Sequence, residues 1–152
     1  MNISLKPVTK ENYEAICDLD VAKHQEDYVA CNMWSLVESF FNDGHVTRGI
    51  YRDDEAVGFI MWVFERPEKA SIYRFMLDEK FQQQGIGRQA FGLALDEIRA
   101  VPDTRTIEVC YNPQNPVAGA FYQSFGFIET GMDEDDEDML AELQVMIEST
   151  NS

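Results

Sequence analysis

FQQQGIGRQAF, residues Phe81 to Phe91, places two glycines one residue apart, behind three glutamines and ahead of an arginine. Read from Gly85 it fits a loose dinucleotide-binding pattern, G-x-G-x-x-A, and read from Gln82 it fits another phosphate-loop pattern, Q-x-x-G-x-G. A Walker A loop is excluded because its spacing and its Lys-Ser/Thr pair are missing. The dinucleotide pattern is disfavoured because its first glycine must follow a strand directly, whereas residues 78–84 intervene here.

The Q-x-x-G-x-G pattern predicts a loop between a strand and a long helix, with free backbone N–H groups at the helix N-terminus. Such a terminus binds pyrophosphate through these donors and through the helix dipole. Gly85 and Gly87 carry no side chain, so phosphate oxygens can approach the backbone, and Arg88 adds a charge-assisted contact. On this motif alone, a helix that merely begins with glycines remains an equal alternative.

The sequence around the loop predicts a single mixed α/β domain over residues 1–152. Hydrophobic alternation and helical spacing predict strands over 2–8, 45–52, 56–64, 69–77, 105–111, 127–130 and 139–148, and helices over 10–20, 33–41, 85–99 and 117–125. Thr9 is expected to cap the first helix. The third helix should bury the stripe formed by Ile86, Ala90, Leu93, Ala94 and Ile98. This order is not the strict βαβ alternation of a doubly wound sheet, which again disfavours a dinucleotide fold.

The charge is strongly acidic, with 12 basic and 28 acidic residues and a formal net charge of −16. A field of this sign repels nucleic acid and anionic membranes and attracts cations. Either solubility or a cationic substrate explains it. The acidic run DEDDED, Asp133 to Asp138, is correspondingly either a solvated turn between the last two strands or the mouth of a cation-binding site.

Segments that direct a chain to a membrane or to secretion are not found. No apolar run approaches the ~20 residues of a membrane span, and MNISLKPVTK lacks the apolar core of a signal peptide. A cytoplasmic protein is therefore expected. Cys17, Cys31 and Cys110 fit no metal-binding spacing, so we expect buried thiols and no metal site.

A second motif lies about thirty residues after the glycine loop. NPVAGAFYQSFGF carries Asn115, Ala118, Tyr122, Gly126 and Phe127 in the spacing N-x-x-A-x-x-x-Y-x-x-x-G-F. Together the two motifs, their order and the flanking strands resemble the GNAT superfamily of acetyl-CoA-dependent N-acetyltransferases. The N-terminal half, with YVACNMWSLVESF and YRFMLDEKFQQQGIGRQA, is similar to the bacterial spermine/spermidine (diamine) N-acetyltransferases.

The resemblance implies a GNAT-like acyl-CoA N-acyltransferase fold, with a mostly antiparallel central sheet splayed between strands 4 and 5 and flanked by helices. It also implies a homodimer and a ternary complex in which the substrate amine attacks the thioester of acetyl-CoA directly. The residues expected to bind acetyl-CoA are Met76, Leu77, Gln82, Gln83, Gln84, Gly85, Ile86, Gly87, Arg88, Asn115, Phe121 and Tyr122. Of these, residues 82–88 would take the pyrophosphate, and the backbone of Met76 and Leu77 would hold the pantetheine.

For the chemistry, the resemblance makes Tyr122 the general acid that protonates the departing thiolate, although a core aromatic is the structural alternative. Asn115 is expected to bind the cofactor arm, although Asn before Pro is also an ordinary helix N-cap. Related polyamine acetyltransferases often have a carboxylate nine residues before the first Gln of the loop, where this chain has Tyr73. At an ordinary pKa of ~10, tyrosine is a poor base at neutral pH, so Glu38 or Glu108 acting through water are alternatives.

The first two helices usually wall the acceptor site in this superfamily, which suggests five candidate substrate-binding residues: Gln25, Glu26, Asn32, Trp34 and Glu38. A core or interface aromatic and solvated helix charges are the structural alternatives. The expected function is transfer of an acetyl group to a small polycationic amine, most simply spermine or spermidine. Another amine acceptor (amino acid, aminoglycoside or protein N-terminus) and a non-catalytic acyl-CoA-binding module remain open.

Overall fold

A seven-stranded mixed sheet organises the chain in the computed structural model, which describes residues 2–20, 32–115 and 117–145. The strands are β1 (Ile3–Pro7), β2 (His45–Arg52), β3 (Glu55–Arg66), β4 (Lys69–Leu77), β5 (Thr106–Tyr111), β6 (Ile128–Met132) and β7 (Met139–Gln144). Their spatial order is β1-β2-β3-β4-β5-β7-β6. Every neighbouring pair is antiparallel except β4 and β5, which are parallel. The predicted mixed α/β fold and element order are confirmed.

The parallel pair opens part of the way along its length. β4 and β5 are paired only from Lys69–Thr106 to Ile72–Val109. Beyond that point β4 continues to Leu77 while remaining paired with β3. The resulting wedge between β4 and β5 is the splay that the resemblance implies, and it provides space within the sheet for an extended ligand.

The described residues form four α-helices that flank the sheet: α1 (Tyr13–Cys17), α2 (Asn32–Phe41), α3 (Ile86–Arg99) and α4 (Ala118–Gln123). The buried face of α3 packs on the sheet, and each large apolar side chain removed from water contributes about 1.5–3 kcal/mol. Leu93, predicted to belong to this face, is 37% exposed. The buried stripe is centred instead on the side that carries Phe91 and Leu95, so Leu93 lies at its edge.

The first helix is shorter than predicted. The Thr9 carbonyl accepts from the N–H groups of Asn12 and Tyr13, and the Thr9 hydroxyl accepts from Glu11, so a turn precedes the helix. After Cys17 the chain leaves the helix, and the Asp20 N–H donates to the Asp78 carboxylate at 3.0 Å. The prediction over 10–20 is wrong at both ends, because a tertiary contact to the end of β4 outweighs local helix propensity.

The remaining boundaries differ from prediction by only a few residues. β6 ends at Met132, two residues later than predicted. The part of the predicted last strand beyond residue 145 lies outside the described residues. Cys17 and Cys110 are half-buried, and Cys31 is not among the described residues. No helix in the described part of the chain is long and apolar enough to span a membrane.

Candidate active site

The glycine loop turns the chain from β4 into α3 through two residues in the left-handed region. Gln83 has φ +62° and Gly85, the N-cap of α3, has φ +79°. A Cβ on Gly85 would meet no atom within 4 Å, so its backbone faces open space. The first helical bond runs from the Gln89 N–H to the Gly85 carbonyl. The N–H groups of Ile86, Gly87 and Arg88 therefore precede it and have no acceptor within the helix.

The side chains of the loop hold it in place. Gln82 Nε2 donates to the Leu77 carbonyl at 2.9 Å, which ties the loop to the end of β4. Gln84 donates to the Lys80 carbonyl. Arg88 donates to Ser124 Oγ at 2.6 Å, so its guanidinium joins α3 to the residue that follows α4.

A small cavity of about 140 Å³ occupies the wedge between β4 and β5, and we call it the splay cavity. It is lined by Ile72, Tyr73, Arg74, Phe75, Cys110, Tyr111, Asn112, Asn115, Ala118, Tyr122 and Asp138. The structure thus brings Tyr73 of β4 together with Asn115 and Tyr122 of the second motif, the three residues of this wall for which a role was predicted.

Tyr122 lies among aromatic rings at one wall of the splay cavity. Its ring centroid is 5.4 Å from that of Phe91 and 5.6 Å from that of Tyr111. Burial, followed by the nearby Cys110 and Tyr111, raises the pKa of Tyr122 well above its ordinary value. The phenol is therefore neutral at physiological pH and carries a proton to donate. Its packing and its predicted role as an acid are compatible.

Asn115 caps the short helix α4, as the structural alternative expected. Its Oδ1 accepts from the N–H groups of Val117 and Ala118 at 3.2 and 3.4 Å. The side-chain NH₂ makes no hydrogen bond to the described residues and belongs to the wall of the splay cavity. Capping thus fixes the side chain through its oxygen and leaves its donors for a ligand.

A larger cavity of about 450 Å³, which we call the acidic cavity, adjoins the first. It is lined by Glu65, Ser71, Ile72, Tyr73, Glu108, Val109, Cys110, Asp133, Glu134, Asp135 and Leu140. Ile72, Tyr73 and Cys110 belong to both cavities, so the two meet at this wall. Five of its residues are carboxylates. The β6–β7 connection places Asp133, Glu134 and Asp135 at this cavity together with residues of β4 and β5. This half of the acidic run is therefore not just a solvated turn.

Tyr73 connects the two cavities and contacts a carboxylate that the sequence did not single out. Its hydroxyl donates to Glu65 Oε1 at 3.1 Å, and Ser71 Oγ donates to the same oxygen at 3.0 Å. Burial and then the negative charge of Glu65 raise the pKa of Tyr73 to about 12. Tyr73 is therefore a neutral hydroxyl with a carboxylate behind it. The shift reduces the fraction of tyrosinate at neutral pH still further, so Tyr73 by itself does not supply the base.

The two alternative bases both have cationic partners. Glu108 pairs with Lys69 at 3.0 Å at the wall of the acidic cavity. Glu38 pairs with Arg74 at 3.4 Å and also accepts from Trp34 Nε1 at 3.0 Å. Arg74 lines the splay cavity, so this chain of contacts joins α2 to the site.

The residues predicted to wall the acceptor site are only partly brought together. Trp34 is 63% exposed on α2, outside both cavities. Asn32 is buried, and its Nδ2 donates to the Ile16 carbonyl at 2.8 Å and contacts Met76 Sδ at 3.5 Å. The structure places Asn32 in the core between α1 and β4 and not at either cavity. Gln25 and Glu26 lie outside the described residues.

Residues 13–127 match the model of the acetyltransferase (GNAT) family. The spermine/spermidine N(1)-acetyltransferase of Bacillus subtilis (strain 168) is 27% identical over 134 residues, which are 84% of this chain and 88% of that protein.

Two solved structures share the fold. The PaiA N-acetyltransferase of Thermoplasma acidophilum, in complex with coenzyme A, has a TM-score of 0.73 at 19% identity, covering 95% of this chain and 99% of that one. The spermidine N-acetyltransferase of Vibrio cholerae, in complex with CoA and spermine, has a TM-score of 0.77 at 14% identity, covering 94% and 95%. With its family model matched over most of its length and its sheet splayed between β4 and β5, this chain belongs to the GNAT family of acetyltransferases.

Proposed function

We propose that this protein transfers the acetyl group of acetyl-CoA to a primary amine of a small polycationic substrate, spermine or spermidine. The main observation in support of the proposal is that the splay cavity and the acidic cavity meet at a shared wall. The splay cavity holds a neutral tyrosine and the Asn115 amide, whose NH₂ has no partner among the described residues, and the acidic cavity holds five carboxylates. One cavity suits the thioester, and the other suits an acceptor with more than one positive charge.

For the acetyl donor, the glycine loop has the chemistry of a pyrophosphate site. Three backbone N–H groups at the start of α3 have no intrahelical acceptor, and the absence of a side chain at Gly85 opens the approach to them. The Arg88 guanidinium, held by Ser124, keeps further N–H groups for a phosphate. Residues 82–88 and the end of β4 at Met76 and Leu77 would bind acetyl-CoA.

For the acceptor, the acidic cavity provides charge at short range. Glu134 and Asp135 are exposed and so lie at its mouth, while Glu65 and Glu108 line it from β3 and β5. A polyamine has several ammonium groups, so one can occupy the mouth while another lies at Tyr73, next to the splay cavity. The same arrangement disfavours an acceptor that bears a carboxylate close to its amine, because that carboxylate would enter a negatively charged pocket.

The reaction follows from direct attack. Acetyl-CoA supplies an activated thioester carbonyl. The acceptor must first lose a proton, because an alkylammonium has a pKa of about 10.4. Its nitrogen then forms the C–N bond as the C–S bond breaks. Tyr122 donates its proton to the departing sulfur, and the second proton of the acylated nitrogen restores the Tyr122 hydroxyl.

An acceptor screen tests this function. The protein is incubated with acetyl-CoA and polyamines, monoamines, amino acids or aminoglycosides, and free thiol and product mass are measured. We expect thiol release and a single added acetyl group with spermine or spermidine. A preference for an amino acid or an aminoglycoside would replace the substrate class, and thiol at background with every acceptor would leave only a binding module.

A glycine pair tests the donor site separately. In Gly87→Glu the new Cβ meets the ends of two side chains, Leu77 at 3.3 Å and Phe75 at 3.7 Å, so the fold should tolerate it. The added carboxylate should repel the pyrophosphate and weaken acetyl-CoA binding in calorimetry by at least about tenfold. Gly92→Glu adds the same charge on the same helix, where a Cβ meets nothing within 4 Å, and should leave affinity unchanged. Equal affinities in the two variants would refute the assignment of the loop.

We further propose that the protein works as a homodimer in the cytoplasm, with the family resemblance as the support. Light scattering after size exclusion would give twice the chain mass of 17.5 kDa for a dimer. A mass equal to one chain would contradict the proposed dimer.

A further inference from the structure

We propose that Glu65 is the proton acceptor of the reaction and that it takes the proton of the acceptor amine through the Tyr73 hydroxyl. This inference rests on the proposed function. It supplies the base that the sequence lacks where relatives often have a carboxylate. Glu65 itself need not touch the substrate, because Tyr73 lies between the two cavities.

The backbone places both side chains by interrupting the β3–β4 ladder. Met61 is paired with Arg74 and Trp62 with Ile72, so Tyr73 is an extra, unpaired residue of β4. Further along, Phe64 is paired with Ala70 and Arg66 with Lys69, so Glu65 is an extra residue of β3. A bulge re-aims a side chain out of the strict alternation of a strand, and bulges are frequent next to active sites. Here two bulges on neighbouring strands bring a hydroxyl and a carboxylate into hydrogen-bonding contact.

The contacts orient this pair for proton transfer. The Tyr73 hydroxyl donates to Glu65 Oε1 at 3.1 Å, which points its lone pairs away from Glu65. Ser71 donates to the same oxygen at 3.0 Å and fixes the carboxylate from the neighbouring position on β4. Two donors on one oxygen hold the Glu65 side chain against Tyr73 without neutralising its charge.

Several titratable groups lie around Tyr73, in addition to the Asp133, Glu134 and Asp135 carboxylates of the acidic cavity. Glu65 approaches from β3, Glu108 and Cys110 from β5, and His45 from β2, whose ring lies edge-on to that of Tyr73 at 6.2 Å. Glu108 is paired with Lys69 at 3.0 Å, whereas the Tyr73 hydroxyl donates to Glu65. Burial raises the pKa of the Cys110 thiol to about 11, so it carries its proton already. His45 makes a ring contact with Tyr73 and not a hydrogen bond to its hydroxyl.

Glu65 differs from Glu38 and Glu108, the two carboxylates considered above as alternative bases. Among the ion pairs of residues 2–20, 32–115 and 117–145, none includes Glu65. Glu38 and Glu108 each have a basic partner. Glu65 is therefore the carboxylate that accepts the Tyr73 hydrogen bond and has no basic partner among these residues.

The protons balance as follows. The ammonium group of the acceptor passes one proton to Tyr73 Oη while the Tyr73 hydroxyl proton passes to Glu65 Oε1. The neutral amine then attacks the thioester carbon, and its second proton returns to Tyr122 after Tyr122 has protonated the sulfur. Glu65 releases its proton to water. The sum is one ammonium and one thioester converted to one amide, one thiol and one released proton.

Glu65→Gln tests the inference, because glutamine preserves the size and the acceptor oxygen for Tyr73 but cannot take a proton. We expect kcat for spermidine to fall about 100-fold, within the range for loss of a general base. The loss should shrink for fluorinated amines of lower pKa, since these are already neutral, and acetyl-CoA affinity should not change. Glu68→Gln is the matched control, because it removes the same charge from a residue that pairs with Arg66. We expect kcat to be unaltered in this variant.

Tyr73→Phe removes the hydroxyl and is the second variant. If the two residues act as one relay, Glu65→Gln in the Tyr73→Phe background should cause little further loss in kcat. An unaltered kcat and pH profile in Glu65→Gln would overturn the inference, as would losses that multiply in the double variant. Neither result would contradict the proposed function. The proposed function fails if the unmodified protein acetylates no amine.

Discussion

Replacing Glu134 by Gln and Asp135 by Asn should weaken polyamine binding far more than a change of two charges elsewhere. Both side chains lie at the mouth of the acidic cavity. A sphere of about 450 Å³ has a radius of about 5 Å, and at this distance two unit charges attract by about 0.8 kcal/mol in water and about 3 kcal/mol at an effective dielectric of 20. Because Glu134 and Asp135 are exposed, the lower figure applies.

Two losses of about 0.8 kcal/mol predict a rise in KM of about 15-fold at low salt. Screening over a Debye length of about 10 Å reduces this to about fivefold at 0.1 M salt. Steady-state kinetics with spermine at the two ionic strengths would measure both values, with kcat expected to stay near that of the unmodified protein.

The matched control is Asp54→Asn with Glu55→Gln, which gives the same net charge. Glu55 begins β3 and Glu65 lies near its other end, so about 30 Å of strand separates this turn from the acidic cavity. KM should change less than twofold in the control at 0.1 M salt, where the separation is about three Debye lengths. Equal changes in the two double variants would refute the local binding role and reduce the acidic run to a contribution to the overall charge.

Three further outcomes are expected. Gly58→Ala should destabilise the fold by about 1–3 kcal/mol and weaken acetyl-CoA binding, because its Cβ would lie 2.5 Å from the Met76 carbonyl oxygen. Gly92→Ala, in open space on α3, should instead stabilise the fold by about 0.5–1 kcal/mol. Urea unfolding measures both changes, and the reverse order of stabilities would contradict the packing described. Tyr122→Phe should lower kcat at least about tenfold with unchanged acetyl-CoA affinity; loss of affinity instead would make its role structural. Burial raises the pKa of Tyr73 from 10.0 to about 12, so the folded state holds this proton more tightly than the unfolded chain. Stability from this group is present below pH 10 and lost as pH rises towards 12, and thermal unfolding of Tyr73→Phe should show a smaller decline over this interval; equal declines would argue against the shift.

The order of elements could be predicted from sequence because it depends on local patterns. The stretch KASIYRFML became β4 with the expected bounds, and the glycine loop leads into α3 as predicted. Both signals lie within short segments. The second motif singled out Asn115 and Tyr122, and both line the splay cavity.

The chemistry around Tyr73 could not be predicted in the same way. Glu65 follows a hydrophobic run and precedes Arg66-Pro67, so in sequence it belongs to a turn. It reaches Tyr73 because bulges on both strands shift the register, and a bulge depends on the pairing of two strands rather than on either alone.

Two other placements also depend on tertiary structure. Glu134 overlies the acidic cavity because β7, and not β6, pairs with β5. Asn32, expected at the acceptor wall, is buried because its amide satisfies the Ile16 carbonyl at the end of α1. Neither contact has a signal in the spacing of the residues involved.

The most direct test of the central claim is the ratio of kcat/KM for spermidine to that for butylamine, with acetyl-CoA saturating. Both acceptors offer a primary amine on an alkyl chain, so the ratio reports the contribution of the additional positive charges. We predict a ratio above about 10 at low salt that declines as the salt concentration rises, because the acidic cavity attracts those charges. A ratio near 1 that does not change with salt would contradict the account, since it would mean that the cavity beside Tyr73 does not recognise a polycation.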